Sequence, residues 1–239
     1  MKRILSRIFL LVILIAITAG CQSGKVGADS KTIAEITAAY PDRVSILFDN
    51  NYVVVVEYRL NPGDKLPLHE LGDRTIYALT PGAVKFNADQ AGEAATLSEG
   101  DTFWQKAGPL APENVGENET RLLVVARTEA LLPEFAVEDL EQDVSQTAPE
   151  IATQLMDNDY VRVIEVNLEP GEEINTHRGI ARVVYSLEPY TIDYVAEDTA
   201  GSGQKTFEAG HTHWHQAGSH SLVNIGETAM HDLIFEFKK

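Results

Sequence analysis

The sequence predicts an all-β chain made of two similar units in tandem, and three observations predict it. The first is a repeat. Asp49-Asn50-Asn51-Tyr52-Val53 returns as Asp157-Asn158-Asp159-Tyr160-Val161. At the same spacing Leu60, Pro62, Gly63, His69, Arg74, Tyr77, Leu79 and Pro81 fall on Leu168, Pro170, Gly171, His177, Arg182, Tyr185, Leu187 and Pro189. The second copy then gains two residues, after which Gly100, Trp104, Ala107-Gly108, Asn114, Gly116-Glu117 and Leu123 fall on Gly210, Trp214, Ala217-Gly218, Asn224, Gly226-Glu227 and Leu233. A match over roughly 80 residues is a duplicated domain, and two repeats of that length are too few and too long for a solenoid. They form two similar domains or one fused pseudo-dimer. The second observation is the β-branched runs Tyr52–Tyr58 and Tyr160–Val166. The third is the turn that closes each run, Asn61-Pro62-Gly63-Asp64 and Glu169-Pro170-Gly171-Glu172. Short strands with Gly and Pro punctuation make a sandwich or barrel.

Taken in order, the chain opens on a basic segment, Met1-Lys2-Arg3 with Arg7, and an unbroken apolar run of ten, Ile8 to Ile17. A bilayer span needs roughly 20 residues, so the run fits a signal sequence. Thr18-Ala19-Gly20-Cys21 resembles a bacterial lipobox, with Thr18 departing from the usual leucine. That resemblance implies that residues 1–20 are removed and that Cys21, the lipid anchor, becomes the acylated first residue. The chain is then anchored to a membrane and does not span it. Gln22 after the cysteine is similar to outer-membrane sorting in diderm bacteria, so the expected place is the cell envelope, lipid-anchored, and the outer membrane in a diderm. Cys21 is the only cysteine, which excludes an internal disulfide.

A tether and short helix are expected over 21–44, the helix capped by Ser30 and stopped before Pro41. The first β unit follows over 45–130. It has strands at Tyr52–Tyr58, Thr75–Leu79, Ala83–Phe86, Gly100–Lys106 and Arg121–Arg127, and a loop at Ala88–Ala95. An acidic linker with room for a short helix is expected over 131–153. The second unit, 154–239, repeats the strands at Tyr160–Val166, Val183–Leu187, Thr191–Val195, Gly210–Gln216 and His231–Phe237, with a loop at Ala196–Gln204.

Each copy resembles a cupin, a small double-stranded β-helix (jelly-roll) barrel. The family's first motif runs Gly, five residues, His-x-His, then a Glu. Its second runs Gly, five residues, Pro-x-Gly, then His, three residues, Asn. Here Gly171 leads to His177, Gly210 leads to Gln216-Ala217-Gly218, and His220 leads to Asn224. The resemblance covers most of residues 48–239. It implies two tandem cupin barrels and, in metal-binding members, one Fe, Mn, Ni, Cu or Zn ion held by the motif histidines and glutamate.

This chain departs from that set. Gly179 stands at the second histidine, the glutamate position falls on Val183-Val184, and Leu71 and Leu110 replace two ligands in the first copy. The first barrel is therefore expected to be structural. The second holds six of the seven histidines: His177, His211, His213, His215, His220 and His231. His211, His213 and His215 alternate on one strand and share a face. If that face lines the barrel, His213 or His215 can join His177 and His220 as metal ligands; if it faces out, they form a surface cluster. Tyr185, Asn224 and Trp214 are candidate pocket residues, each with a bland alternative as wall, turn anchor or packing. His231 is expected on a solvent face.

Three functions stay open. One is binding of an unidentified small molecule in the second barrel, beside a degenerate metal site. Another is a mononuclear metal-dependent enzyme of the oxygenase, isomerase or decarboxylase class. The last is a structural envelope scaffold. Removal of Lys2, Arg3 and Arg7 takes the formal charge from -17 to -20. That charge repels phosphate backbones, so no nucleic-acid partner is expected. The expected partners are the membrane, through the lipid, and the small molecule. The expected state is a monomer with its barrels packed on each other.

Overall fold

The computed structural model describes residues 31–86, 94–197 and 201–238. The signal segment, Cys21 and the tether lie outside them. The first unit opens with helix α1 (Ile33–Ala39), capped by Thr32 and not by Ser30. The Thr32 hydroxyl accepts from the Glu35 amide while the Glu35 carboxylate accepts from the Thr32 amide, a reciprocal capping box. Ten strands follow: β1 (Val44–Asp49), β2 (Val53–Leu60), β3 (His69–Leu71), β4 (Arg74–Ala78), β5 (Gly82–Lys85), β6 (Ala95–Leu97), β7 (Thr102–Gln105), β8 (Gly108–Leu110), β9 (Glu113–Asn114) and β10 (Thr120–Arg127). The second unit has helix α2 (Val144–Thr147) and nine strands: β11 (Ala152–Asp157), β12 (Val161–Leu168), β13 (Glu173–Gly179), β14 (Arg182–Ser186), β15 (Tyr190–Ala196), β16 (Gly203–Phe207), β17 (Thr212–His215), β18 (Gly218–Asn224) and β19 (Met230–Phe237).

Each unit carries a five-stranded antiparallel sheet of the same order, β1-β2-β10-β4-β7 and β11-β12-β19-β14-β17. The facing sheet of the second unit runs β13-β18-β15-β16, and in the first unit the matching strands form two smaller pieces, β3-β8 and β6-β5-β9. Turn chemistry explains what the repeat retains. The side-chain oxygens of Asn50 and Asn158 each accept from the two amides that open the next strand. Gly63 and Gly171 hold φ of +80° and +84°, a region that disfavours side chains.

The repeat also starts earlier than the sequence alone shows. Segment 131–153, expected as a linker, contains α2, which packs on β11 and β13 as α1 packs on β1 and β3. Ile36 and Val144 are the buried apolar residues of the two helices, and Pro41 and Pro149 follow them at one spacing. Each unit is thus a helix and a barrel.

The five-stranded sheets are buried on both faces, which is why their strands read as near-continuous apolar runs. On β19, Met230 and Ile234 enter the second barrel's own core, while Leu233, Phe235 and Phe237 enter a cluster shared with Val53, Val55, Leu123 and Val125 of the first unit. Trp104 stacks on Tyr160 at 4.7 Å, and Trp214 stacks on Tyr52 at 5.2 Å. Each stack is the other's counterpart under the repeat, so an approximate two-fold axis relates the units.

Candidate functional site

The two barrels differ in what fills them. In the first, Tyr58, Val84, Phe86, Leu97, Phe103 and Leu110 belong to one apolar cluster. His69 is fully buried among them, its Nδ1 donating to the Pro67 carbonyl at 2.8 Å and its Nε2 accepting from the Tyr58 hydroxyl at 2.7 Å. Arg74 is also buried and saturated. It donates to Gln105 Oε1 and to the carbonyls of Leu71, Gly108 and Pro109.

In the second barrel the counterpart of Tyr58 is Val166, that of Phe103 is His213, that of Leu110 is His220 and that of Leu122 is Asp232. Smaller or polar groups at these places leave a cavity of about 70 Å³. His177, His213, His215 and His220 all line it. The face shared by His213 and His215 therefore points inward, while His211 stays exposed at its end. His177 and His220 pair across β13 and β18 with ring centroids 4.2 Å apart.

The hydrogen bonds fix the histidine tautomers. His177 Nδ1 donates to the Asn175 carbonyl at 3.0 Å, so its Nε2 carries a lone pair and accepts. Among the described residues that Nε2 has no partner, because Val166 lacks the hydroxyl Tyr58 supplies in the first barrel. His215 uses both nitrogens: Nδ1 donates to the Gln216 carbonyl, and Nε2 accepts from the Tyr194 hydroxyl at 2.9 Å. Burial holds His213 down at about 4 and His215 at about 3, aided by neighbouring positive charge that includes Arg182. Burial and then Arg182 push His220 lower still, and burial also lowers His177. All four are neutral at pH 7.

The residues do not fit the family's metal. Among the described residues no three His, Cys, Asp or Glu side chains are placed to share one ion. Val184 supplies apolar wall where the family has a carboxylate. The place beside His177 on β13 belongs to a cation. A Cβ on Gly179 would lie 2.3 Å from Arg182 Nη1, so glycine is required there for the guanidinium to enter. A fixed positive charge in the ligand shell repels a divalent ion.

Arg182 is 4% exposed, and the one hydrogen bond it makes among the described residues is from Nη1 to the Ile180 carbonyl at 2.8 Å. Its neighbour Arg162 is neutralised by Glu236, at 2.8 Å from Nε, and by Asp143. At another wall the Tyr190 hydroxyl donates to Asp232 at 2.6 Å, and burial lifts the Asp232 carboxyl to about 7.

Three of the sequence's pocket candidates lie elsewhere. Tyr185 and Trp214 point from the opposite face of their strands into the inter-barrel cluster. Asn224 is fully buried and ties a turn, donating to the Leu168 and Thr228 carbonyls and accepting from Gly226. His231 is not on a free solvent face but pairs with Glu165 at 2.8 Å in the groove between the barrels. Sequence reasoning missed Arg182, because both copies keep that arginine and comparing them flags nothing. It also missed Asp232, whose signal was present: an acid inside an apolar strand where the first copy has Leu122.

No family model and no curated protein matches the sequence. Solved structures do match in fold. AerE from Microcystis aeruginosa shares 12% identity over 82% of this chain and 93% of that one, with a TM-score of 0.60. Oxalate decarboxylase from Bacillus subtilis shares 14% over 78% and 68%, with a TM-score of 0.56. A cupin 2 conserved barrel domain protein from Leptotrichia buccalis shares 13% over 82% and 88%, with a TM-score of 0.49. The fold is thus that of two cupin barrels in tandem, with the cupin motif positions brought together by β13, β17 and β18.

Proposed function

We propose that the second barrel binds a small organic molecule without a metal ion, and that the first barrel is its structural partner. The observation that carries this reading is the contrast between the barrels: one interior is filled, and the other is hollow and lined by unsaturated polar groups. Cupin-fold relatives include an oxalate decarboxylase described by its Mn(II) centres. In this chain Gly179, Arg182 and Val184 stand against that chemistry, so a metal-dependent reaction is the weaker reading.

The test combines metal analysis with one substitution. Chain purified without a histidine tag and incubated with Mn, Fe, Ni, Cu or Zn is expected to retain far less than one equivalent. Val166→Tyr copies Tyr58 of the first barrel, filling the cavity and bonding His177. It is expected to abolish small-molecule binding in a fluorescence or calorimetric screen. One tightly held metal per chain, lost with His177→Ala, would overturn the reading.

We further propose that the chain works outside the cytoplasm on a lipid attached to Cys21, as a monomer. The support is the apolar run ending at Ala19-Gly20-Cys21 and the packing of both barrels within one chain. Cys21→Ser is expected to abolish fatty-acid labelling and release the protein from the membrane fraction.

A further inference from the structure

Arg74 and Arg182 occupy the same place in the two barrels and live in different surroundings. Arg74 spends its donors on a side-chain amide and three or more backbone carbonyls. Arg182 has one such acceptor; its cross-strand partner Glu236 and Asp143 offset part of its charge, but among the described residues no carboxylate lies within 4 Å of it to take its donors. Burying a guanidinium with empty donors is costly, since each unpaired charged donor forfeits its hydration. A barrel that keeps the arginine while removing its acceptors leaves room for an acceptor that arrives with the ligand.

The lining narrows the ligand further. Lys205 is half-buried at the wall, over the Tyr194 ring at 3.9 Å, and adds a second cation. Of the two acids at the wall, Asp143 already accepts from Ser145 and pairs with Arg162. The other, Asp232, accepts from Tyr190. Among the described residues, the polar atoms left without a partner at the wall are the remaining Arg182 donors, His177 Nε2, the Nδ1 atoms of His213 and His220, and Asp232 Oδ1. Of these, Arg182 and His177 offer a cation beside an electron-donating lone pair. Arg182 lies close enough to His177 to disfavour its protonated form. A carboxylate satisfies the guanidinium fork. The histidine lone pair needs a neutral donor next to it, which a hydroxyl provides and a second cation beside Arg182 does not. Val166, Val184, Ile192 and Leu222 make the remaining wall apolar. A volume of 70 Å³ is roughly the share of two liquid waters, so the chain on the acid is short.

We propose that the ligand is a short-chain α-hydroxycarboxylate, its carboxylate held by Arg182 and its hydroxyl donating to His177 Nε2. This rests on the reading of the second barrel as a metal-free binding cavity. The strongly acidic surface slows the approach of an anion at low salt, and screening over a Debye length of about 8–10 Å removes most of that effect at physiological ionic strength.

The experiment is calorimetric titration of the full chain in detergent with lactate, propionate and propane-1,2-diol, three probes of nearly one size. Lactate is expected to bind, propionate about tenfold more weakly for its missing hydroxyl, and the diol about a hundredfold more weakly for its missing charge. Arg182→Gln is expected to bring lactate to the level of the diol, and His177→Leu to the level of propionate. If Arg182→Gln does not fold by circular dichroism, Arg182→Lys keeps the charge, loses the two-pronged geometry, and is expected to weaken lactate about tenfold. Equal binding of the three probes, or unchanged lactate affinity in the arginine variant that folds, overturns the inference. Binding of the neutral diol alone, abolished by Val166→Tyr, also overturns it while leaving the binding cavity standing. Failure of every probe and of a broader small-molecule screen overturns both.

Discussion

Val166 decides whether the second barrel is hollow. The first barrel shows the alternative, with Tyr58 reaching His69 and closing the space. Val166→Tyr is expected to raise the melting temperature by about 2–4 °C for each kcal/mol of new packing, read by calorimetry. The buried titrating groups set opposite pH responses. The lining histidines hold pKa values below the unfolded value of about 6.5. Protons therefore favour the unfolded chain, and that stability is full above pH 6.5 and lost as pH falls toward about 4. His220→Leu, which copies Leu110, is expected to flatten the loss between pH 7 and 5 in urea titrations. Asp232 is raised from 3.8 to about 7, so its contribution is full below pH 4 and lost as pH rises through 7. Asp232→Asn is expected to exceed wild-type stability at pH 8 by more than about 1 kcal/mol, with the gap closing at pH 4.

At the scale of elements, the same residues at turns and caps do the same work in both units. Asn114 and Asn224 each satisfy two carbonyls and one amide in a dry position. Asn224→Ala strands those groups and is expected to cost about 2–4 kcal/mol in chemical denaturation. The strands that sequence reasoning finds, such as β2, β12 and β14, are those with β-branched runs closed by a Pro-Gly turn or by Pro81 and Pro189. Among the strands it passes over, β3, β6, β13 and β16 are short or polar, as in Glu173-Ile174-Asn175-Thr176. They are strands because neighbouring strands supply hydrogen-bond partners, and no local propensity announces that. Helix α2 falls inside the acidic linker, where the sequence allows a short helix without placing it: four residues give no periodicity, and the flank Glu138 to Asp143 reads as linker.

Across the whole molecule, the inter-barrel cluster joins the two units, which are expected to unfold as one cooperative body. Phe235 lies at its centre and is fully buried. Phe235→Ala is expected to cost about 3–5 kcal/mol and to lower one shared calorimetric transition; two separated transitions in the wild type would show the barrels unfolding independently. The stack on Tyr52 gives Trp214 its place in packing, and Tyr185 is buried in the same inter-barrel cluster, away from the cavity.

Duplication, the all-β class, the turns and the histidine-rich second copy are properties of residue identity and spacing along the chain. They were legible without coordinates because turn chemistry and two-residue alternation are local. The cavity is not local. It exists because Val166 on β12, Arg182 on β14, His220 on β18 and Asp232 on β19 meet across the barrel, at sequence separations that no periodicity encodes. Arg182 shows the limit most clearly. The same arginine stands in both copies, and only the carbonyls, the glutamine and the glycine that the fold sets around it decide whether its charge is spent inside the protein or left for a ligand.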